Sequence, residues 1–86
     1  MKKIYKYSLE LLDFQKVEMP EGFEILTAQI QNGVLCIWAI VNPENKTTKV
    51  EFEILSTGEQ MEQERRRYVG TAQDGALVWH VFQILT

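Results

Sequence analysis

Hydrophobic and polar residues alternate with a period of two along most of the chain. The longest such run, Phe23 to Pro43, is interrupted by Asn32-Gly33, and both residues of this pair readily take the positive φ of a two-residue type I′ turn. Pairing outward from the turn sets Thr27 opposite Trp38. The pattern therefore predicts a β-hairpin with a defined register.

This register sorts the first hairpin into two faces, because successive side chains of a strand point to opposite sides. One predicted face is wholly apolar and is assigned to the core: Leu26, Ala28, Ile30, Leu35, Ile37, Ala39 and Val41. The opposite face mixes polar and apolar residues: Thr27, Gln29, Gln31, Ile25, Val34, Cys36, Trp38 and Ile40. This mixed face is predicted to be either a thinner second core or a binding surface.

Five further extended runs are predicted: Lys3 to Leu9, Phe14 to Met19, Thr47 to Leu55, Tyr68 to Gln73 and Ala76 to Leu85. The first is expected at a sheet edge, with its lysines guarding that edge. In the third, apolar residues alternate with Lys49, Glu51 and Glu53, which predicts one dry and one wet face. About seven strands with short turns predict an all-β fold, a small antiparallel sandwich or barrel.

The last two runs are predicted to form a second hairpin about Asp74-Gly75, with Gly70 opposite Trp79, whose ring would cover the bare glycine backbone. One face is assigned to the core: Tyr68, Ala72, Leu77, Trp79 and Val81. The other is more polar: Arg67, Thr71, His80, Val69, Val78 and Phe82.

The segment from Glu59 to Arg67 has good helix formers but one apolar anchor, Met61, so it is predicted to be a loop. An α+β fold with one short helix at 59–67 is the alternative.

Composition narrows the class of protein. A chain of 86 residues is expected to form a single domain, residues 1–86. Its net charge of −3 and pI near 5.1 argue against binding duplex DNA. No apolar stretch suits a membrane span or signal peptide, so a cytoplasmic protein is expected. The small size without disulfides, since Cys36 is the single cysteine, favours a homo-oligomer, a dimer or a tetramer.

All three arginines stand together at Arg65, Arg66 and Arg67. Their planar guanidinium groups suit phosphate or carboxylate, which makes the run a candidate anion site. The alternative is a solvated charge run balanced by nearby glutamates. Arg67 is predicted to share a face with His80 and Thr71.

The sequence contains no convincing motif for a catalytic site or a metal-binding site. His80 is the single histidine, so a histidine-paired metal site is excluded, and no nucleophile, glycine-rich phosphate loop or paired carboxylates accompany it. We interpret His80 as a satisfied, partly buried side chain. Trp38 is either a core residue or a flat surface on which a ligand ring could stack beside polar neighbours. We therefore predict no enzyme activity and no cofactor.

Several segments together resemble a family of short proteins from tailed bacteriophages and prophages that has no known function: KYSLE, VEMPEGFEILTAQIQNGVLCIWAIVNPE, STG, RYVGT and GALVWHVF. Members of that family often read threonine-glycine-histidine where this chain has Thr57-Gly58-Glu59. The resemblance implies a phage accessory protein that acts in the cytoplasm of the host bacterium without enzyme activity.

By analogy with other small phage proteins, we predict a sponge that sequesters a small anionic ligand such as a cyclic nucleotide immune signal. The candidate ligand-binding residues are Trp38, Gln29, Gln31, Thr27, Arg65, Arg66, Arg67, Tyr68, Thr71 and His80. An inhibitor that masks a host defence protein is the first alternative. A structural or regulatory phage protein is the second, and detection in purified virions would favour it.

Overall fold

The computed structural model describes residues 1–62 and 64–85. It contains seven strands: β1 (Lys3–Ser8), β2 (Phe14–Pro20), β3 (Glu24–Gln31), β4 (Val34–Val41), β5 (Thr47–Ser56), β6 (Arg66–Asp74) and β7 (Leu77–Ile84). The all-β prediction is confirmed. No residue in the described ranges is helical, so the alternative helix at 59–67 is wrong for that segment apart from Gln63, which lies outside them. Within the same ranges, no helix is long and apolar enough to cross a membrane.

The strands form two antiparallel sheets, ordered β1-β4-β3 and β2-β5-β7-β6. Their inner faces share one apolar core, whose largest fully buried side chains are Phe52, Met19, Ile37, Val41 and Val81. The arrangement is that of a small sandwich. As predicted, β1 lies at a sheet edge.

The first hairpin has the predicted register from Gln31 opposite Val34 to Thr27 opposite Trp38. Asn32 and Gly33 take positive φ values of 51° and 77°, as a type I′ turn requires. The register then shifts at Leu26, which is an extra residue in β3. Leu26 is consequently 43% exposed, so its assignment to the core was wrong.

The second hairpin turns one residue later than predicted, because Asp74 pairs with Leu77 and the loop is Gly75-Ala76. The predicted cross-strand partners are therefore wrong. Thr71 pairs with His80, and they still share the outer face, because a displacement of two positions preserves the alternation of side chains.

A second register shift, at Val69, inverts the faces at the start of β6. Tyr68 moves from the predicted core face to the outer face, where it pairs with Phe82 and is 58% exposed. Arg67 moves the other way and pairs with Gln83. Its predicted place beside Thr71 and His80 was wrong, as was the burial of Leu77, which is exposed.

The two sheets approach each other closely along β3 and β6. A Cβ atom added to Gly70 would lie 3.0 Å from the Ala28 backbone nitrogen and 3.4 Å from the Ala28 Cβ. Gly70 pairs with Val81 rather than with Trp79. The glycine therefore permits the contact between the sheets instead of being covered by a tryptophan, which corrects the sequence interpretation.

Candidate functional site

A chain of hydrogen bonds crosses the outer face of the second hairpin. The Tyr68 hydroxyl lies 2.6 Å from Thr71 Oγ1, and Thr71 Oγ1 lies 3.0 Å from His80 Nδ1. On the other side of the ring, His80 Nε2 lies 2.8 Å from Thr57 Oγ1. The bulge at Val69 creates this chain, because it brings Tyr68 to the face that already holds Thr71 and His80.

Both ring nitrogens of His80 are engaged by threonine hydroxyls. A hydroxyl can donate or accept, so a neutral imidazole is satisfied in either tautomer. Both ring nitrogens therefore have hydrogen-bond partners in the chain, and these bonds orient the ring. The imidazole in turn orients the hydroxyls of Thr71 and Thr57.

Next to this chain lies a cationic and aromatic cluster. The Arg66 guanidinium carbon is 5.6 Å from the centre of the Phe82 ring, and Tyr68 meets the same ring edge-on with centroids 5.5 Å apart. A guanidinium over a ring keeps its in-plane N–H groups available for an anion. Arg66 therefore takes the place that the sequence assigned to Arg67.

The other two arginines of the run lie in different surroundings from Arg66. Arg65 precedes β6 and is exposed, and its carbonyl accepts a bond of 2.8 Å from the Leu85 backbone N–H. Arg67 is also exposed and, together with Tyr68, Glu24 and Ile25, lines a cavity of about 270 Å³ between the two bulged strands. The arginine run is therefore not one compact cluster around a single anion.

Glu53 is buried beside the cluster on the outer face of β5, opposite Phe82, although the sequence predicted a wet position. It is 3% exposed, and its Oε1 has no hydrogen-bond partner among the described residues. Burial is the largest cause that raises the pKa of Glu53. Arg66 opposes it, while Glu59, Asp13 and Glu62 add to the rise.

The predicted residues of the first hairpin lie on the outer face of the other sheet. Lys6 Nζ donates a bond of 2.6 Å to Gln31 Oε1 and so crosses over Cys36, which is buried. Trp38 is partly buried in the same face, between Lys6 and Thr27 in the cross-strand register. Trp38 is thus separated from the arginines, and Gln31 already has a partner in the chain.

The polar residues of the two hairpins meet at a groove along β3 and β6. Thr27 and Gln29 line one side and Thr71 and Gln73 the other, around a cavity of about 310 Å³. Ala28, which also lines this groove, lies against Gly70 of the other sheet. Predicted base-reading residues of both hairpins come together in this groove, namely Thr27 and Gln29 with Thr71.

A larger cavity, about 440 Å³, lies elsewhere, beside the ends of β5 and β7, and contains none of the predicted site residues. Its walls include Lys16, Lys49 and Glu51. Size alone therefore does not indicate the site. We place the candidate site on the outer face of β6, where the exposed ring, the hydroxyls and Arg66 occur together.

Three residues of this surface were not among the predicted site residues: Thr57, Phe82 and Glu53. Strand alternation had already placed Phe82 on the same face as His80, but Phe82 was not assigned to ligand binding. Thr57 belongs to the turn after β5, and its contact with His80 depends on tertiary structure. Among the described residues, no three histidine, cysteine or acidic side chains are grouped to hold a metal ion.

A family model described as "Domain of unknown function (DUF7352)" matches residues 1–85 of the chain. No curated protein and no solved structure matches it. The family description names no phage, ligand or partner, so the resemblance to phage proteins stays a prediction.

Proposed function

The chain belongs to the family described as a domain of unknown function, DUF7352, and from its outer-face geometry we propose that it binds and sequesters a small anionic ligand without transforming it. The ligand carries a flat ring, as a cyclic nucleotide immune signal does. In keeping with the resemblance seen in the sequence, the proposed setting is a phage accessory protein in the cytoplasm of the host bacterium.

One observation carries this proposal: an exposed aromatic ring, a guanidinium and a chain of ordered hydroxyls occupy one face of β6. Tyr68 offers its ring to a base, and stacking of this kind typically contributes about 1–3 kcal/mol per base. Arg66 lies over Phe82 and provides N–H donors for a phosphate. The hydroxyls of Thr71 and Thr57, ordered by His80, supply hydrogen bonds to polar edges.

The groove along β3 and β6 extends this surface toward the first hairpin. Thr27, Gln29 and Gln73 supply donors and acceptors of the kind that read a base edge. Thr71 belongs both to the groove and to the hydroxyl chain. A ligand stacked on Tyr68 could therefore place its polar edge in the groove and its phosphate near Arg66.

The test is a thermal-shift screen of the protein against cyclic di- and trinucleotides. We expect at least one to raise the Tm, because a ligand that binds only the folded state stabilises it. Arg66→Ala should lower the affinity for that ligand about tenfold or more, since it removes a charge-assisted contact. Lys46→Ala is the matched control, because it removes the same charge from a highly exposed side chain remote from the site.

Substitutions of Tyr68 separate stacking from hydrogen bonding. Tyr68→Phe keeps the ring but removes the bond to Thr71, and we expect a smaller loss of affinity than for Tyr68→Ala. The absence of a shift with every nucleotide in the panel would contradict the ligand class. Equal affinities for Arg66→Ala and Lys46→Ala would contradict the site.

A protein-binding role is the second candidate, favoured by the exposed Leu11 and Leu12 on the loop between β1 and β2. Exposed adjacent leucines suit contact with an apolar surface of a host protein. In that case one host protein should copurify with the chain and nucleotides should leave the Tm unchanged. Leu11→Ser combined with Leu12→Ser should then abolish copurification without altering the far-ultraviolet circular dichroism spectrum.

A further inference from the structure

The free edge of β2 has a hydrogen-bonding pattern that can be read residue by residue. Ile54 donates to the Asp13 carbonyl at 3.0 Å, and Glu21 donates to the Lys46 carbonyl at 2.9 Å. Hydrogen-bonded and non-bonded pairs alternate in an antiparallel ladder, so the odd-numbered residues of β2 face β5. Phe14, Lys16 and Glu18 consequently direct their backbone N–H and C=O groups away from the sheet.

The β2 edge is less protected than the other sheet edges, because it has no bulge and its one lysine is accompanied by Glu18. β2 pairs with β5 over seven residues without a register shift, whereas β3 and β6 contain bulges and lie against each other. β1 carries Lys3 and Lys6, which repel a second copy of the same strand. A regular unpaired strand is a template for another strand.

We propose that β2 pairs with β2 of a second copy of this chain, antiparallel about a two-fold axis at Val17. Lys16 of each copy then lies opposite Glu18 of the other in a hydrogen-bonded pair. Phe14 lies opposite Pro20, whose carbonyl accepts a bond although its nitrogen cannot donate. Both charged side chains are exposed in the single chain and lie on its outer face.

Charge determines this register. The backbone N–H and C=O groups at the free edge belong to even-numbered residues, so an even-numbered residue of one copy must pair with an even-numbered residue of the other. A shift of the register by two positions would set Lys16 against Lys16 in one direction and Glu18 against Glu18 in the other, and both are repulsive. Within one chain Lys16 already lies opposite Glu51, and Glu18 opposite Lys49. The proposed dimer continues these pairs into two ladders of alternating charge, each running Glu51, Lys16, Glu18 and Lys49 across the interface.

The dimer would join two four-stranded sheets into one of eight strands, with both candidate ligand sites on the same outer surface. The two copies of β6 would be seven strand spacings apart, roughly 34 Å at about 4.8 Å per spacing. That span exceeds the length of a cyclic dinucleotide. Each site would bind its own ligand, so dimerisation and ligand binding can be tested separately.

Sedimentation equilibrium of the full chain over a concentration series tests the proposal. The 10.0 kDa chain should associate to a species of twice that mass. Lys16→Glu and Glu18→Lys should each weaken association about tenfold or more, because each converts two symmetry-related attractive pairs into repulsive ones. Circular dichroism verifies that both variants remain folded, as expected for exposed positions.

Mixing the two variants gives the decisive measurement. In a heterodimer of Lys16→Glu with Glu18→Lys, both cross-strand pairs are attractive again, so an equimolar mixture should dimerise about as well as the original chain. A chain that stays monomeric at tens of micromolar overturns the proposal. So does a dimer that either single variant leaves intact, or a mixture that associates no better than the separate variants.

Discussion

Gly70→Val is expected to destabilise the domain by about 2–3 kcal/mol, measured by urea denaturation. Its Cβ would lie 3.0 Å from the Ala28 backbone nitrogen and 3.4 Å from the Ala28 carbonyl oxygen. Neither strand can retreat without cost, since Ala28 is held in the ladder with β4 and Gly70 in the ladder with β7. Overpacking of this kind typically costs about 1–3 kcal/mol, and valine adds two methyl groups beyond the Cβ.

Two further variants test whether the loss of stability comes from the steric clash between the side chain at position 70 and the Ala28 backbone. Gln73→Val introduces the same side chain at an exposed position of β6 and should change stability by less than about 0.5 kcal/mol. Ala28→Gly, added to Gly70→Val, should not restore stability, because the shortest contact is to backbone rather than to the Ala28 side chain. Full rescue by Ala28→Gly, or equal losses for Gly70→Val and Gln73→Val, would refute this account.

The fold was predictable from the sequence because local signals agreed with tertiary structure. Alternation identified all seven strands, and Asn32-Gly33 determined the register of the first hairpin beyond its turn. In the second hairpin, the turn predicted at Asp74-Gly75 was one residue too early, since Asp74 pairs with Leu77 and the loop is Gly75-Ala76. Thr71 and His80 were nevertheless predicted on the correct face, because side chains alternate with a period of two and the register changed by two positions.

The bulges were not predictable because an extra residue leaves no compositional mark when it is itself apolar, as Leu26 and Val69 are. Their effect on the site is large, since the bulge at Val69 exchanges Arg67 for Arg66 beside the hydroxyl chain and brings Tyr68 to the outer face. The sequence identified most of the residue types at the site, but it could not say which arginine belongs there. That choice depends on one register shift.

The burial of Glu53 also escaped sequence analysis, since a glutamate alternating with apolar residues is normally solvated. Its cross-strand neighbours on this face are Phe14 and Phe82. Glu59, Asp13 and Glu62 also raise its pKa, so their carboxyl groups lie near enough to act on it. The alternating pattern does not specify which side chains cover a position on the outer face of a strand.

Glu53→Met is expected to stabilise the domain by about 2 kcal/mol at pH 7, measured by urea denaturation. The carboxylate is buried with one oxygen unpartnered, and leaving such a group buried costs about 1–3 kcal/mol. Methionine has a similar volume and suits the neighbouring aromatic rings. Glu53→Gln should give a smaller gain, because it removes the charge but keeps a polar group.

The gain in stability from Glu53→Met should increase with pH. Since burial raises the pKa of Glu53 above its ordinary value of 4.5, the neutral carboxyl favours the folded state below pH 4.5. That stability is lost as the pH rises through the folded-state pKa. The advantage of Glu53→Met over the original chain should therefore be smallest at low pH and grow toward neutrality.

Glu51→Met is the matched control, because Glu51 lies on the same face of β5 but is less buried and lies opposite Lys16. It should change stability little and show no comparable growth of the difference with pH. A gain for Glu53→Met that is the same at every pH would mean that packing, rather than the cost of the buried charge, produces it. A loss of stability at pH 7 would mean that the attraction between Glu53 and Arg66 outweighs burial.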